Sequence, residues 1–115
     1  MNGLKIVVFA FSLLFFFSCD SKPKRTPPEV LLSEPQMIDV MTDVQIMEGI
    51  ISYKRNSNQK TAYIRDVGYD TLFAHYGITD SIFEENVKYY NDVDPLALIR
   101  IMDSVTVRLE RMKDQ

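Results

Sequence analysis

The sequence predicts an all-α protein, built as a small bundle of about four helices. Apolar residues recur at helical spacing in four separate stretches, and capping residues or glycine mark most of their ends. No alternation of apolar and polar residues competes with these patterns as a strand signal. The 115 residues allow a single domain, because the part that follows the N-terminal leader and linker has only about 80 residues.

Residues 1–18, which precede these helical stretches, have the layout of a secretory signal peptide. Lys5 supplies a positive charge, and an apolar run from Ile6 to Phe17 follows, interrupted only by Ser12. The run has about 12 residues, fewer than the roughly 20 that a membrane span needs. We therefore expect this leader to be cleaved.

The end of the leader predicts lipidation at Cys19. Ordinary signal peptidase requires small residues at −1 and −3, and Phe16 at −3 is too large. The lipoprotein pathway requires a small residue before a cysteine, and Ser18-Cys19 resembles such a lipobox, although Phe16 stands where leucine is commoner. Cleavage between Ser18 and Cys19 would leave Cys19 carrying diacylglycerol and further acyl chains such as palmitate. An uncleaved anchor and ordinary secretion remain alternatives.

Residues 19–33 form a predicted tether, and residues 34–115 form the helical domain. Proline favours extended chain, so the tether would lift the domain off the bilayer. Its basic residues could rest on anionic head groups, but a solvated linker is the simpler interpretation. An acidic run after the cysteine directs some lipoproteins to the cell exterior, and this sequence has none. It therefore favours the periplasmic face of the outer membrane. The prolines and basic residues of the tether are Pro23, Pro27, Pro28, Lys22, Lys24 and Arg25.

The first two helices have clear boundaries. Ser33 and Gln36 form a capping-box pattern, and the first helix should end near Arg55. The second helix should begin near Thr61 and stop at Gly77, although Gly68 weakens its first half. The apolar stripe of the first helix is Met37, Val40, Met41, Val44, Met47 and Ile51, and that of the second is Tyr69, Leu72, Phe73 and Tyr76.

The last two helices begin at equally clear signals. Thr79 can cap the third helix, with Asp80 and Glu84 near its positive N-terminal end, and Asp94 followed by Pro95 predicts the start of the fourth. Short loops between successive helices favour antiparallel neighbours. The third helix presents Phe83, Val87 and Tyr90 on one face, and the fourth has the regular stripe Leu98, Ile101, Met102, Val105, Leu109 and Met112.

Several of these short motifs together resemble a known family. They are Met37-x-x-Val40-Met41-x-Asp43-Val44, Tyr76-Gly77-Ile78-Thr79, Phe83, Tyr89-Tyr90 and Asp94-Pro95 with the final helix. With the lipoprotein leader, the chain resembles the Bacteroidetes-type lipoproteins that carry domain of unknown function 4296 (DUF4296). The resemblance covers roughly residues 28–109. It implies a small helical lipoprotein of the cell envelope and assigns no activity, catalytic residue or cofactor.

Charge and cysteine content limit the function classes. The formal net charge is −3, and an acidic domain is a poor partner for nucleic acid, which is bound through basic surfaces. Cys19 is the sole cysteine, so the mature domain has neither a disulfide nor a thiol ligand set for a metal. We expect no cofactor.

Few residues offer chemistry. Asp39 and Asp43 are one helical turn apart, as are Asp66 and Asp70, and such pairs could bind a metal or transfer protons. A dimetal site in a helical bundle needs Glu-x-x-His pairs, and His75 is the only histidine. A solvated acidic face and a histidine that interacts with a helix C-terminus are the simpler interpretations. We therefore do not expect an enzyme.

Methionine and tyrosine are the remaining candidates for binding. Met37, Met41 and Met47 share the first helix, and six tyrosines follow along the chain; both residue types suit binding surfaces, yet both also fill small cores. The preferred function is a lipid-anchored envelope protein that binds or scaffolds a protein partner. The alternative is a carrier or sensor of a small ligand, such as a glycan or lipid, in a groove between helices.

Overall fold

The computed structural model describes residues 2–3 and 26–115, and the latter range contains four α-helices. They are α1 (Glu34–Asn56), α2 (Ala62–His75), α3 (Asp80–Val93) and α4 (Pro95–Lys113). The range contains no strand, which confirms the all-α prediction. Ser18, Cys19 and the predicted cleavage between them lie outside the described residues. Within the described ranges, no helix has the length and apolar character to cross a membrane.

Side-chain caps begin three of the four helices, as the sequence predicts. Ser33 and Gln36 form the reciprocal capping box of α1. Thr79 accepts a hydrogen bond from the Ile82 amide at the start of α3, and Asp94 does so from the Ala97 amide of α4. Thr61, by contrast, precedes α2 without a side-chain cap. These local bonds fix where the chain enters each helix.

A Schellman motif ends α2 at Gly77. The Ile78 amide donates to the Phe73 carbonyl (3.0 Å) and the Gly77 amide to the Ala74 carbonyl (3.0 Å). Gly77 has φ of +66°, where an L side chain is strained. Ile78 is buried, so the turn also delivers an apolar anchor. The sequence prediction for this boundary is confirmed.

Gly77→Ala is expected to lower the free energy of unfolding by about 1–2 kcal/mol, because alanine is strained at positive φ. Gly49→Ala is the matched control, since Gly49 lies in α1 and a Cβ there meets nothing within 4 Å. That substitution should stabilise the domain by about 0.5–1 kcal/mol. Urea unfolding of both variants measures the difference, and equal shifts would contradict the assigned turn.

Helices α1 and α2 run antiparallel. Tyr69 in the middle of α2 donates to Glu48 in the second half of α1, whereas Tyr76 just after α2 donates to Asp43, nearer the start of α1. Contacts therefore move backward along α1 as α2 proceeds. This direction is the one that a short connection favours.

Helices α1 and α4 run parallel, which the sequence did not predict. Arg100 pairs with Glu34 at 2.5 Å, and Arg108, two turns later, pairs with Asp39 at 2.5 Å. Helix α3 packs against α2 and α4 but not against α1. The chain thus enters α1 and α4 at the same end of the domain.

The core is centred on α1 and α4 and corrects one prediction. Met102 and Met112 were expected in the stripe of α4, but they are 37% and 46% exposed. Ala97 is fully buried instead, while Leu98 and Leu109 lie at the edge of the core. The packed face of α4 is narrower than the predicted six-residue stripe and is centred on Ala97, Ile101 and Val105. The buried apolar residues are Leu32, Met37, Val40, Met41, Ile51, Leu72, Phe73, Ile78, Tyr90, Ala97, Ile101 and Val105.

The last residues of the predicted tether pack against α3. Asn86 is fully buried and accepts from the Leu32 amide (2.7 Å) while donating to the Val30 carbonyl (2.7 Å). The Tyr90 hydroxyl donates to the Leu32 carbonyl at 2.6 Å. The predicted division at residues 33 and 34 stays a prediction, but the packed part of the chain begins before it. We call these contacts the Asn86 clamp.

Candidate functional site

An open groove lies between α1, α2 and α3. Its volume is about 560 Å³, within the ~300–1,000 Å³ typical of ligand sites. The lining combines aromatic rings with carboxylates, so we call this groove the acidic groove. It is lined by Val44, Arg65, Asp66, Tyr69, Asp70, Phe73, Asp80, Phe83 and Glu84.

Aromatic rings form the floor of the acidic groove. Tyr69 and Phe73 stack with their centroids 5.7 Å apart, and Phe73 meets Phe83 of α3 at 5.3 Å. Phe73 is buried, whereas Tyr69 and Phe83 are half-buried. The floor therefore retains apolar surface that another side chain can cover.

Four carboxylates rise above this floor on α2 and α3. Asp80 accepts from the Ser81 amide at 2.7 Å. The side-chain carboxylates of Asp66, Asp70 and Glu84 have no hydrogen bond or ion pair to any residue in the described ranges. The groove's single cation, Arg65, is already paired with Glu48 at 3.1 Å. We call these carboxylates the rim of the groove. The rim therefore has an excess of negative charge that no cation in the described chain neutralises.

One wall of the groove is held by a hydrogen bond between Tyr69 and Glu48. Burial, and then the neighbouring Glu48 carboxylate, raise the pKa of Tyr69 to about 12. The hydrogen bond from the Tyr69 hydroxyl is the largest effect on the pKa of Glu48 and lowers it. Desolvation opposes this effect, and Arg65 lowers the pKa further. At neutral pH the phenol therefore donates to an ionised carboxylate. This bond fixes the Tyr69 ring at the edge of the floor.

The two predicted carboxylate pairs have different surroundings. Asp39 pairs with Arg108, and Asp43 accepts from the Tyr76 hydroxyl at 2.5 Å, so both belong to helix contacts. Asp66 and Asp70 line the acidic groove. Among the described residues, no three His, Cys, Asp or Glu side chains are grouped closely enough to hold a metal ion.

His75 and the methionines of α1 lie where the simpler interpretations expected them, but Tyr53 and Tyr63 are exposed and are not part of the core. His75 is exposed in the last turn of α2, with its ring edge-on to Tyr76 at 5.1 Å. Met37 and Met41 are buried, and Met47 packs at the edge of the core against Gly68, where a Cβ would lie 3.0 Å from its sulfur. The methionines of α1 therefore fill the core and do not form a binding surface.

Three features of the site were missed by sequence reasoning. Phe83 was expected only as a core residue, and Asp80 and Glu84 only as residues near a helix N-terminus. The available signal was the spacing of Asp80 and Glu84, one turn apart, which matches that of Asp66 and Asp70 on α2. The packing of α2 against α3 brings both pairs to the same groove.

The fold and the groove define a small all-α domain with an open acidic groove. The chain belongs to the DUF4296 family, described as a domain of unknown function, whose match covers residues 28–115. The match includes the clamp segment before α1 as well as all four helices. No curated protein and no solved structure matched the chain.

Proposed function

We propose that the chain is a lipoprotein of the cell envelope that binds a protein partner and performs no catalysis. Its membrane attachment is lipid on Cys19, supported by the apolar leader and the Ser18-Cys19 junction. The outer membrane, on its periplasmic face, is the proposed location. Partner binding is supported by one structural observation, the open acidic groove.

The groove suits a protein partner because it joins apolar surface with charge lacking a partner in the described chain. Interfaces commonly have an apolar centre and a polar rim, and the acidic groove has this arrangement. The buried polar side chains of the described residues, Thr42 and Asn86, form hydrogen bonds that stabilise the fold. Asn86 bonds to the backbone of residues 30, 32 and 82, and Thr42 donates to the Ile38 carbonyl.

A second candidate is a carrier or sensor of a small ligand, such as a glycan or lipid. The volume of the groove favours it, since about 560 Å³ would hold such a molecule. The openness of the groove favours the protein partner, because small-ligand sites usually enclose most of the ligand's surface. The same groove residues would serve both functions.

Cys19→Ala is expected to abolish anchoring, since only the cysteine thiol can accept the diacylglycerol thioether. The measurement is membrane fractionation together with the intact mass of the mature chain. Ser21→Ala is the control, because it leaves Ser18 and Cys19 unchanged. Should Cys19→Ala remain in the membrane fraction with a mature mass that differs from that of the unsubstituted chain only by the substitution itself, the lipoprotein proposal is wrong.

Partner binding is tested in the same cells with a photo-crosslinking amino acid. Placed at Asp66 in the groove, it should give a discrete crosslinked protein, which should diminish in the Cys19→Ala background because anchoring raises the local concentration. Glu110 on the exposed side of α4 is the control position. The binding proposal fails if the two positions give the same products.

A further inference from the structure

We infer that the acidic groove takes a basic segment of the partner, with cationic side chains on the rim and an apolar side chain on the floor. This inference rests on the proposed partner binding and adds the chemistry of the partner. It follows from the charge of the rim, the aromatic floor and the contrast with a second groove.

The rim charge selects cations. Asp66 and Asp70 lie on α2 and Glu84 lies on α3, and none of the three has a cationic partner in the described chain. Both α2 and α3 therefore contribute negative charge to the lining of the groove. An ammonium or guanidinium group placed between them gains attraction from more than one carboxylate.

The floor adds an apolar contact that a free metal ion or a small polycation would not use. Tyr69 and Phe83 contact the buried Phe73 ring from either side, and both keep part of their own ring surface exposed. Lysine and arginine stems pack on such surfaces while their charged ends remain in water, and an aromatic side chain packs there as well. A peptide that alternates basic and apolar residues can therefore contact rim and floor together.

A second groove, between α1 and α4, has no such excess of negative charge. It has a volume of about 440 Å³, and because Arg108 pairs with Asp39, its lining leaves one cation, Arg111, against one carboxylate, Asp103. Both grooves belong to the same acidic protein. The negative rim is therefore a local property of the acidic groove, and it makes charge complementarity a test of where the partner binds.

The test measures binding of a short synthetic peptide to the processed, lipidated protein in detergent. The peptide carries lysines and one tryptophan in a glycine/serine background, and a second peptide has glutamate for each lysine. The chain has no tryptophan, so tryptophan fluorescence reports the peptide alone. We expect saturable binding of the lysine peptide, weakening with salt, and none of the glutamate peptide.

Matched variants locate the binding site. Asp66→Asn/Asp70→Asn/Glu84→Gln should weaken binding of the lysine peptide by at least about threefold, since each of the three exposed charge pairs contributes about 1.4- to fivefold. The control Glu85→Gln/Glu110→Gln/Asp114→Asn removes the same charge at exposed positions outside the groove and should change affinity less than twofold. A variant with Asp66→Lys/Asp70→Lys should gain binding of the glutamate peptide.

Each outcome has a defined meaning. Equal losses in the groove and control variants would show nonspecific attraction and overturn the assignment. Equal affinity for a free polyamine and the lysine peptide would show that only a small cation binds, which also overturns it. Because this assay needs neither the native partner nor the membrane, its failure leaves the fractionation and crosslinking results standing, and their failure is seen separately.

Discussion

Ile101→Asp is expected to unfold the domain or bring it close to unfolding. Ile101 is completely buried where α4 joins the core. Removing a buried isoleucine costs about 2–5 kcal/mol, and placing a carboxyl group among apolar side chains adds to that cost. A domain of this size has a total stability of only about 5–15 kcal/mol. Far-ultraviolet circular dichroism and a thermal melt measure the loss.

Ile99→Asp is the matched control on the same helix. Ile99 is 56% exposed, so the same substitution should change stability by no more than about 0.5 kcal/mol. Leu98→Asp and Leu109→Asp, at half-buried positions, should lie between the two. A normal melt for Ile101→Asp would mean that α4 presents this face to solvent or to a partner.

Asn86→Ala is expected to destabilise the domain by about 2–3 kcal/mol and to release the segment before α1. The substitution leaves the Leu32 amide without its acceptor in a buried setting, which costs about 1–3 kcal/mol. It also removes the donor to the Val30 carbonyl. Urea unfolding measures the total, and hydrogen exchange at the Leu32 amide reports the local opening.

Asn91→Ala on the same helix is the control. Asn91 is exposed, and among the described residues its side-chain amide donates only to the neighbouring Asp92, at 2.9 Å, so little stability should be lost. Asn86→Asp separates the roles of the amide, because it keeps an acceptor for the Leu32 amide but loses the donor to Val30. If exchange at Leu32 is unchanged in Asn86→Ala, the clamp does not hold this segment.

Helix boundaries could be predicted because their causes are local. The capping box at Ser33, the Asp94-Pro95 start and the Gly77 turn each depend on bonds between residues at most five positions apart. Apolar spacing then identified most of the buried positions. This information was enough for the all-α class and for the order of four helices.

The packed face of α4 and the Asn86 clamp could not be predicted, because both depend on contacts between distant residues. Met102 and Ile101 are both apolar, and only the packing of α4 against α1 and α3 decides that Ile101 is buried and Met102 is not. Asn86 reads as a polar helix residue, yet its partners Val30 and Leu32 are 56 and 54 positions away. A pattern of residue types does not contain such pairings.

The acidic groove also depends on contacts between residues that are far apart in the sequence. The Asp66–Asp70 pair was recognised as a candidate, with a metal site or a solvated face as its alternatives. The structure adds Glu84 from α3 and the ring of Phe83. Their meeting is a result of how α2 and α3 pack, and periodicity within one helix predicts only what that helix contributes.

The Asn86 clamp also sets the length of the free tether between the proposed lipid anchor and the domain. From Cys19 to Val30 the link has about 11 residues, which can span at most about 40 Å. With the clamp closed, Val30 therefore stays within about 40 Å of the proposed lipid anchor, and the groove can lie farther away only by the size of the domain itself. Opening the clamp would extend the free tether by about three residues, or roughly 10 Å, and would change which partners are in reach without altering the groove.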